Sequence, residues 1–205
     1  GLLTGKAFST EYYRNTEFKN WVKNKVDQFN IHKVVLFSSP MAQFLETTHV
    51  EGLHRVMDFV DVDSEKWLQY ADKHHFFMKY LYKREGSKLR QFEQNIANQF
   101  EASLFVSEQE AALFRDNLAV KNDRIHAMLN GVDTEFFDPT ISYANPYPDN
   151  KKVIVFTGAM DYWANVDAVC WFADAVLPAL QQHRAGLRLA VVGNRPTPAV
   201  QRLAE

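Results

Sequence analysis

Short apolar runs alternate with stretches of helical period along this chain, and that alternation restricts the fold more than any other feature. Val34-Val35-Leu36-Phe37, Arg55-Val56-Met57-Asp58-Phe59-Val60, Ala102-Ser103-Leu104-Phe105-Val106 and Arg124-Ile125-His126-Ala127-Met128 read as strands, as do residues 152–156 and 187–192. Parallel strands need crossovers, and those buried on both faces carry near-continuous apolar runs, so the pattern predicts an α/β fold with parallel sheets.

The helices follow from period and caps. Phe18, Trp21, Val22, Val26 and Phe29 recur at helical spacing behind the cap Asn15-Thr16. Ser38-Ser39-Pro40 ends one strand and opens a short helix through Leu45, because Pro is tolerated in a first turn and Ser caps it. From Ser64 the pattern is helical for about forty residues, with Leu89, Phe92, Ile96 and Phe100 on one stripe and Gly86 marking a break or kink. Ser107 and Glu110 form a capping box, each side chain satisfying a backbone N–H, which predicts helix over 108–117. A further helix is expected over 165–182.

Residues 139–150 carry three prolines in twelve positions, the composition of a semi-rigid connector. The expected organisation is one domain over 1–138, a linker over 139–150 and a second domain beginning at 151 and running to 205. An Asn130-Gly131 turn closes the last strand of the first domain, and Gly158 ends the first strand of the second. Ligands of open parallel sheets bind beyond the carboxyl ends of the strands, so both are expected to face a cleft.

Composition narrows the class. With 46% hydrophobic and 23% charged residues the chain is globular, and a net charge of −2 without a basic arm excludes nucleic acid as the expected partner. The single cysteine, Cys170, lies in an apolar helical run and reads as a buried small residue. No apolar run reaches the roughly 20 residues of a membrane span, and the three-part pattern of a signal peptide is missing, so a cytoplasmic location is expected. The chain begins without Met and stops inside a helical pattern at Arg202-Leu203-Ala204-Glu205, as a piece of a longer protein would.

Four phrases carry a resemblance: Ala102-Ser103-Leu104-Phe105-Val106-Ser107-Glu108; Asn130-Gly131-Val132-Asp133 with Phe136 and Pro139; Phe156-Thr157-Gly158-Ala159-Met160 with Asn165; and Leu189-Ala190-Val191-Val192-Gly193. In order and spacing they resemble family 4 (group 1) glycosyltransferases of the GT-B fold. Asp58-Phe59-Val60-Asp61-Val62-Asp63-Ser64-Glu65-Lys66-Trp67 and Phe37-Ser38-Ser39-Pro40-Met41-Ala42-Gln43 look like the sugar transferases of bacterial exopolysaccharide and exosortase systems. The resemblance covers nearly the whole chain. It implies two Rossmann-like doubly wound domains, an acceptor-side one and a nucleotide-sugar one, both incomplete here. The Gly-rich loop and the Glu-containing donor motif of such enzymes are not in this sequence, so the isolated chain is expected to be inactive.

The implied reaction moves a sugar, with retention, from a nucleotide diphosphate sugar to an acceptor hydroxyl, with no cofactor and no metal. Backbone N–H groups and a helix N-terminus can stabilise charge growing on the diphosphate, and a glycine lets the backbone come close. By resemblance the substrate-binding residues are Asn130, Gly131, Asp133, Gly158, Asn165 and Gly193; on spacing alone, Gly158 and Gly193 read as simple strand ends. The loop 159–165 lacks the Arg and Lys that many members place there, leaving Arg195 as the substitute, with a solvated loop arginine as the plainer reading. Tyr162 and Trp163 read either as a stacking surface or as cover for the domain edge.

Asp61, beyond the end of a strand, is the candidate catalytic carboxylate, as general base or positioning group; a solvated acid is the equal alternative. Asp63 reads as a helix cap, and His74-His75 as surface, since adjacent helical residues diverge by about 100°. Lys83-Arg84, Lys88 and Arg90, among Tyr80, Tyr82 and Phe76-Phe77, read as a solvated face or as a peripheral contact with the inner membrane and a lipid-linked or saccharide acceptor. The segment 151–205 leaves a strand edge unpaired, and is expected to lean on residues 1–138, on a second copy of the chain as a homodimer, or on residues beyond it. The other readings are a catalytically silent binding module and, behind it, a GT-B sugar-nucleotide epimerase.

Overall fold

A computed structural model describes residues 5–45, 52–117, 122–147 and 152–204. The chain divides into two compact units, Gly1–Asp133 and Thr134–Glu205. The end of the expected connector, residues 148–150, and Lys151 lie outside the described residues.

The first unit runs α1 (Phe8–Tyr12), α2 (Thr16–Gln28), β1 (Lys33–Phe37), a 3-10 helix (Ser39–Phe44), β2 (His54–Val60), α3 (Asp63–Lys73), α4 (Phe76–Gln99), β3 (Ala102–Phe105), α5 (Glu108–Asn117), a short 3-10 turn (Asn122–Arg124) and β4 (Ile125–Ala127). All strand pairs are parallel and the sheet order follows the chain, β1-β2-β3-β4. The α/β class with parallel strands read from the alternation is therefore what forms. Leu36, Met57, Phe59, Phe105 and Ile125 on the sheet bury against Val26 of α2, Ile96, Ala97 and Phe100 of α4, and Ala111 and Phe114 of α5. Rings of Phe59, Phe105 and Phe114 pack together in this core, 4.7 to 5.4 Å apart, Phe59 and Phe105 stacked and Phe114 tilted against both. Val35 and Phe37, at alternate positions of β1, stay exposed.

Asn15 caps α2 by accepting from the Phe18 amide at 2.9 Å, as expected. Elsewhere the caps differ from expectation. Ser38 makes no side-chain cap and takes a positive φ of 71°. The capping box at α5 is half formed: Ser107 Oγ accepts from the Glu110 amide at 3.2 Å, while the Glu110 carboxylate reaches the Val62 amide at 2.8 Å. A long-range amide competes successfully for that carboxylate.

The forty-residue helix breaks at His74 and His75, both extended, and not at Gly86. His74, His75, Phe76 and Phe77 are successive residues of modest helix propensity, which makes them the weak point. Gly86 instead lies buried inside α4, where an added Cβ would stand 2.8 Å from Leu68 and 3.1 Å from the Ser64 carbonyl oxygen. The glycine lets α3 fold back closely on α4 as a helical hairpin. Helix α4 also carries two buried acids eight residues apart. Glu85 caps α1, accepting from the Phe8 and Ser9 amides at 2.6 and 2.9 Å, and Glu93 caps α3, accepting from the Ser64 amide at 3.2 Å.

The second unit contains β5 (Val153–Thr157), α6 (Trp163–Trp171), a π-helical turn (Phe172–Val176), α7 (Leu177–His183), β6 (Arg188–Val192), α8 (Pro198–Gln201) and a final 3-10 turn (Arg202–Ala204). Strands β5 and β6 pair in parallel, Val153 with Arg188 through Thr157 with Val192, joined by the expected helical crossover. That crossover is not one regular helix. Pro178 has no N–H for the carbonyl four residues back and crowds it, so the ladder slips into a π turn ahead of it. Met160, Val169 and Val200 form a small core, with Phe156, Cys170, Leu189 and Val191 packed against it.

Candidate functional site

In the second unit the strand ends bring two glycines together. Gly158 follows β5 and Gly193 follows β6, and the Gly158 amide donates to the Val192 carbonyl at 3.0 Å. A Cβ on Gly193 would collide with the Gly158 carbonyl oxygen. A Cβ on Gly158 would stand 2.7 Å from Asn165 Nδ2 and 3.1 Å from its Cγ. Asn165, in the first turn of α6, folds back to donate from Nδ2 to the Ala159 carbonyl at 3.0 Å. The Met160 amide donates to the Asn194 carbonyl at 3.0 Å, tying the two strand-end loops to each other. Gly193 is thus required by neighbouring backbone, while Gly158 is crowded only by the Asn165 and Met160 side chains.

Arg195 sits on the second of these loops with a φ of +50°. Its Nε lies 3.0 Å from Asp161 Oδ2, and its side chain is 72% exposed. Arg195 is therefore engaged by a carboxylate of the first loop. Tyr162 and Trp163 are exposed beside it, with ring centroids 6.2 Å apart. A cavity of about 500 Å³ adjoins, lined by Met160, Leu177, Leu189, Gly193, Pro196 and Val200 among others. Gly158, Asn165, Gly193 and Arg195, four of the residues singled out from sequence, thus share one end of the β5–β6 pair.

In the first unit Asp61 follows β2, whose last residue, Val60, takes a φ of +70° at a bulge in the β2–β3 register. A β-branched residue in that region is strained. Asp58 Oδ1 accepts from the Val60 amide at 3.0 Å and helps hold the bend. Lys66 Nζ donates to Asp61 at 2.8 Å and to Asp63 at 3.2 Å. Burial lowers the Lys66 ammonium, but the Asp61 hydrogen bond and the charges of Asp63 and Asp61 outweigh it and hold its pKa above the ordinary value. Asp63 is the first residue of α3 and not its cap, because Glu93 and Glu110 supply acceptors for the amides there.

Glu93 is the residue that reading the sequence missed. It is fully buried, and burial pushes its carboxyl up to about 8, tempered by contact with Ser64 and reinforced by the nearby Asp63 charge. Its Oε2 and the Ser64 hydroxyl have no hydrogen-bond partner among the described residues. The signal was present: Glu85 and Glu93 flank Leu89 at i, i+4, i+8, on the stripe that buries α4.

Asn130, Gly131 and Asp133 end the first unit in an exposed segment without regular structure. The expected Asn-Gly turn does not form. The chain turns at residues 134–137, Gly131 has no positive φ, and a Cβ there would meet nothing within 4 Å. Once the Met128 amide has bonded to the Phe105 carbonyl at 2.8 Å, no partner strand holds these residues in a tight return.

Residues 151–205 match the family model for group 1 glycosyl transferases. That match contains Gly158, Asn165, Gly193 and Arg195 and stops short of Asp61, Asn130, Gly131 and Asp133. No curated protein matches the chain. The match supports glycosyl transfer in general, with a sugar donor and an acceptor as substrates.

Proposed function

We propose that this chain serves a retaining glycosyltransferase that moves a sugar from a nucleotide diphosphate sugar to an acceptor hydroxyl in bacterial exopolysaccharide or glycoconjugate synthesis. The observation that carries the reading is the family match over the segment in which Gly158 and Gly193 meet at the carboxyl ends of two parallel strands. Ligands of open parallel sheets gather at that end.

In the proposed reaction the bond from the anomeric carbon to the diphosphate oxygen breaks, its electron pair leaving with the diphosphate. The acceptor oxygen forms the new bond and gives up its proton. Backbone N–H groups of the loops after Gly158 and Gly193 offer fixed dipoles to the growing charge, and Arg195 adds a cation once it exchanges Asp161 for phosphate. Asp61, held by Lys66, takes or orients the acceptor proton.

A silent binding module is the second reading, favoured by the Arg195–Asp161 pair, which leaves the donor loops without an unpaired cation from that arginine. Incubating the full-length protein that carries this chain with a panel of nucleotide diphosphate sugars and an acceptor, and following nucleotide release and product anomer by NMR, separates the two. Release with an anomer unchanged from the donor supports the proposal; nucleotide binding without turnover supports the module.

A further inference from the structure

We propose that the first unit carries a groove for a chain of sugars bearing acid groups. Three adjoining hollows are lined by α1, α2, α4 and the 3-10 helix that follows β1. One of about 450 Å³ lies over Phe18 and Trp21; the next, of about 200 Å³, shares Asn15 with it; the third, of about 210 Å³, shares Lys6 and Gln43 with the second. The two smaller hollows fall below the roughly 300–1,000 Å³ of a drug-sized pocket, a size that suits single sugar units in succession and not a nucleotide.

The walls of the groove are fastened. Glu85 of α4 holds the start of α1 through the Phe8 and Ser9 amides, and Gln43 Nε2 donates to the Thr10 and Pro40 carbonyls at 2.9 and 2.8 Å, tying the same helix to the 3-10 helix. At the other end the rings of Phe18 and Trp21 lie 5.7 Å apart and within 13° of parallel, with Phe44 braced edge-on against Phe18 at 4.8 Å. Helical spacing places both on the apolar stripe of α2, yet they are 44% and 55% exposed, while Val26 farther along that stripe is buried. The C–H face of a sugar ring stacks on rings held in this way, because an aromatic face carries the negative side of its quadrupole.

Polar groups select the rest of the ligand. Lys88, Gln91 and Asn95 stand at i, i+3 and i+7 on one face of α4 and line the third hollow, where the two amides offer both donors and acceptors to hydroxyl groups. Lys19 lines the second hollow, and Lys6 lines both. Of the acids on the lining, Glu11 is taken up by Arg14 at 3.5 Å and Glu17 stands at the aromatic end. Lys6, Lys19 and Lys88 meet no carboxylate among the described residues, which leaves the groove cationic in a chain whose net charge is −2. Ammonium groups in two successive hollows, beside an aromatic platform, match a saccharide that repeats an acid group. The carboxylate of a uronate and a phosphate ester present the same chemistry to them.

The groove lies outside the donor chemistry, and its test needs no turnover. Calorimetric titrations of the chain use tetragalacturonate, its uncharged methyl ester, a phosphorylated mannotetraose and inorganic phosphate, for the wild type and for the K19A/K88A, K19R/K88R and W21A variants. The wild type should bind an acidic chain at least about tenfold more tightly than the neutral ester. K19A/K88A should lose that preference and K19R/K88R, which keeps the charges, should retain it; W21A should weaken acidic and neutral chains alike. Tighter binding of the uronate or of the phosphorylated chain names the acid group. Equal binding of acidic and neutral chains, binding of none, a preference that survives K19A/K88A, or inorganic phosphate bound as tightly as either acidic chain overturns the proposal.

Discussion

The carbonyl oxygen of Gly158 occupies the place where a side chain on Gly193 would begin. Gly193→Ala must therefore displace backbone, and the cost expected is about 1–3 kcal/mol, the range for overpacking. Gly158→Ala meets only the end of the Asn165 side chain, which can swing away at the loss of its hydrogen bond to Ala159, about 1 kcal/mol. Urea denaturation of both variants should rank Gly193→Ala as the more damaging; the reverse order would mean that the two loops do not meet as described.

The places where the sequence was readable share a physical cause. Strands and the stripe of α4 announce themselves because burial demands apolar residues at a fixed period, and the β5–β6 pairing follows from the two runs around a helix. Gly86 was misread because a helical glycine looks the same whether it kinks a helix or admits a neighbour, and only Leu68, eighteen residues away, decides which. The Glu110 cap failed for a related reason, its partner Val62 lying 48 residues away. At the candidate site the glycines, Asn165 and Arg195 were legible as points in a pattern. The Arg195–Asp161 pair and the burial of Glu93 were not, since both arise from packing that no local spacing encodes.

Gly86→Ala should loosen the α3–α4 hairpin, costing about 1–3 kcal/mol because the new methyl group overlaps Leu68. Leu68→Ala removes the obstruction, so the double variant should lose less stability than the two single losses added together. Denaturation of the four members of that cycle checks the coupling. Additive losses would place Gly86 away from Leu68.

Glu93 gives stability a pH dependence of defined sign. Its carboxyl, ordinarily near 4.5, is raised to about 8 in the fold, so the native state keeps a proton that the unfolded chain releases. The full contribution is present below the unfolded value and is lost as pH rises through about 8, by an amount of order 5 kcal/mol. Glu93→Gln should flatten the fall in denaturation midpoint between about pH 4.5 and 8. A wild-type midpoint unchanged across that window would show Glu93 to be ionised in the fold.

Asp61→Asn keeps the shape of the carboxylate and leaves Lys66 paired with Asp63. If Asp61 handles the acceptor proton, kcat of the full-length protein should fall by about 10²–10⁴ with an unaltered melt. Undiminished turnover would assign Asp61 to the ion pair alone.

The central claim is that the donor diphosphate binds where β5 and β6 end. Hydrogen exchange of the protein, with and without saturating nucleoside diphosphate, tests it most directly. The account predicts protection gained at those backbone amides of residues 159–164 and 193–195 that do not already donate to a carbonyl, in the loops around Gly158, Gly193 and Arg195. Nucleotide binding that leaves those amides unchanged, or no binding of any nucleoside diphosphate, would contradict it.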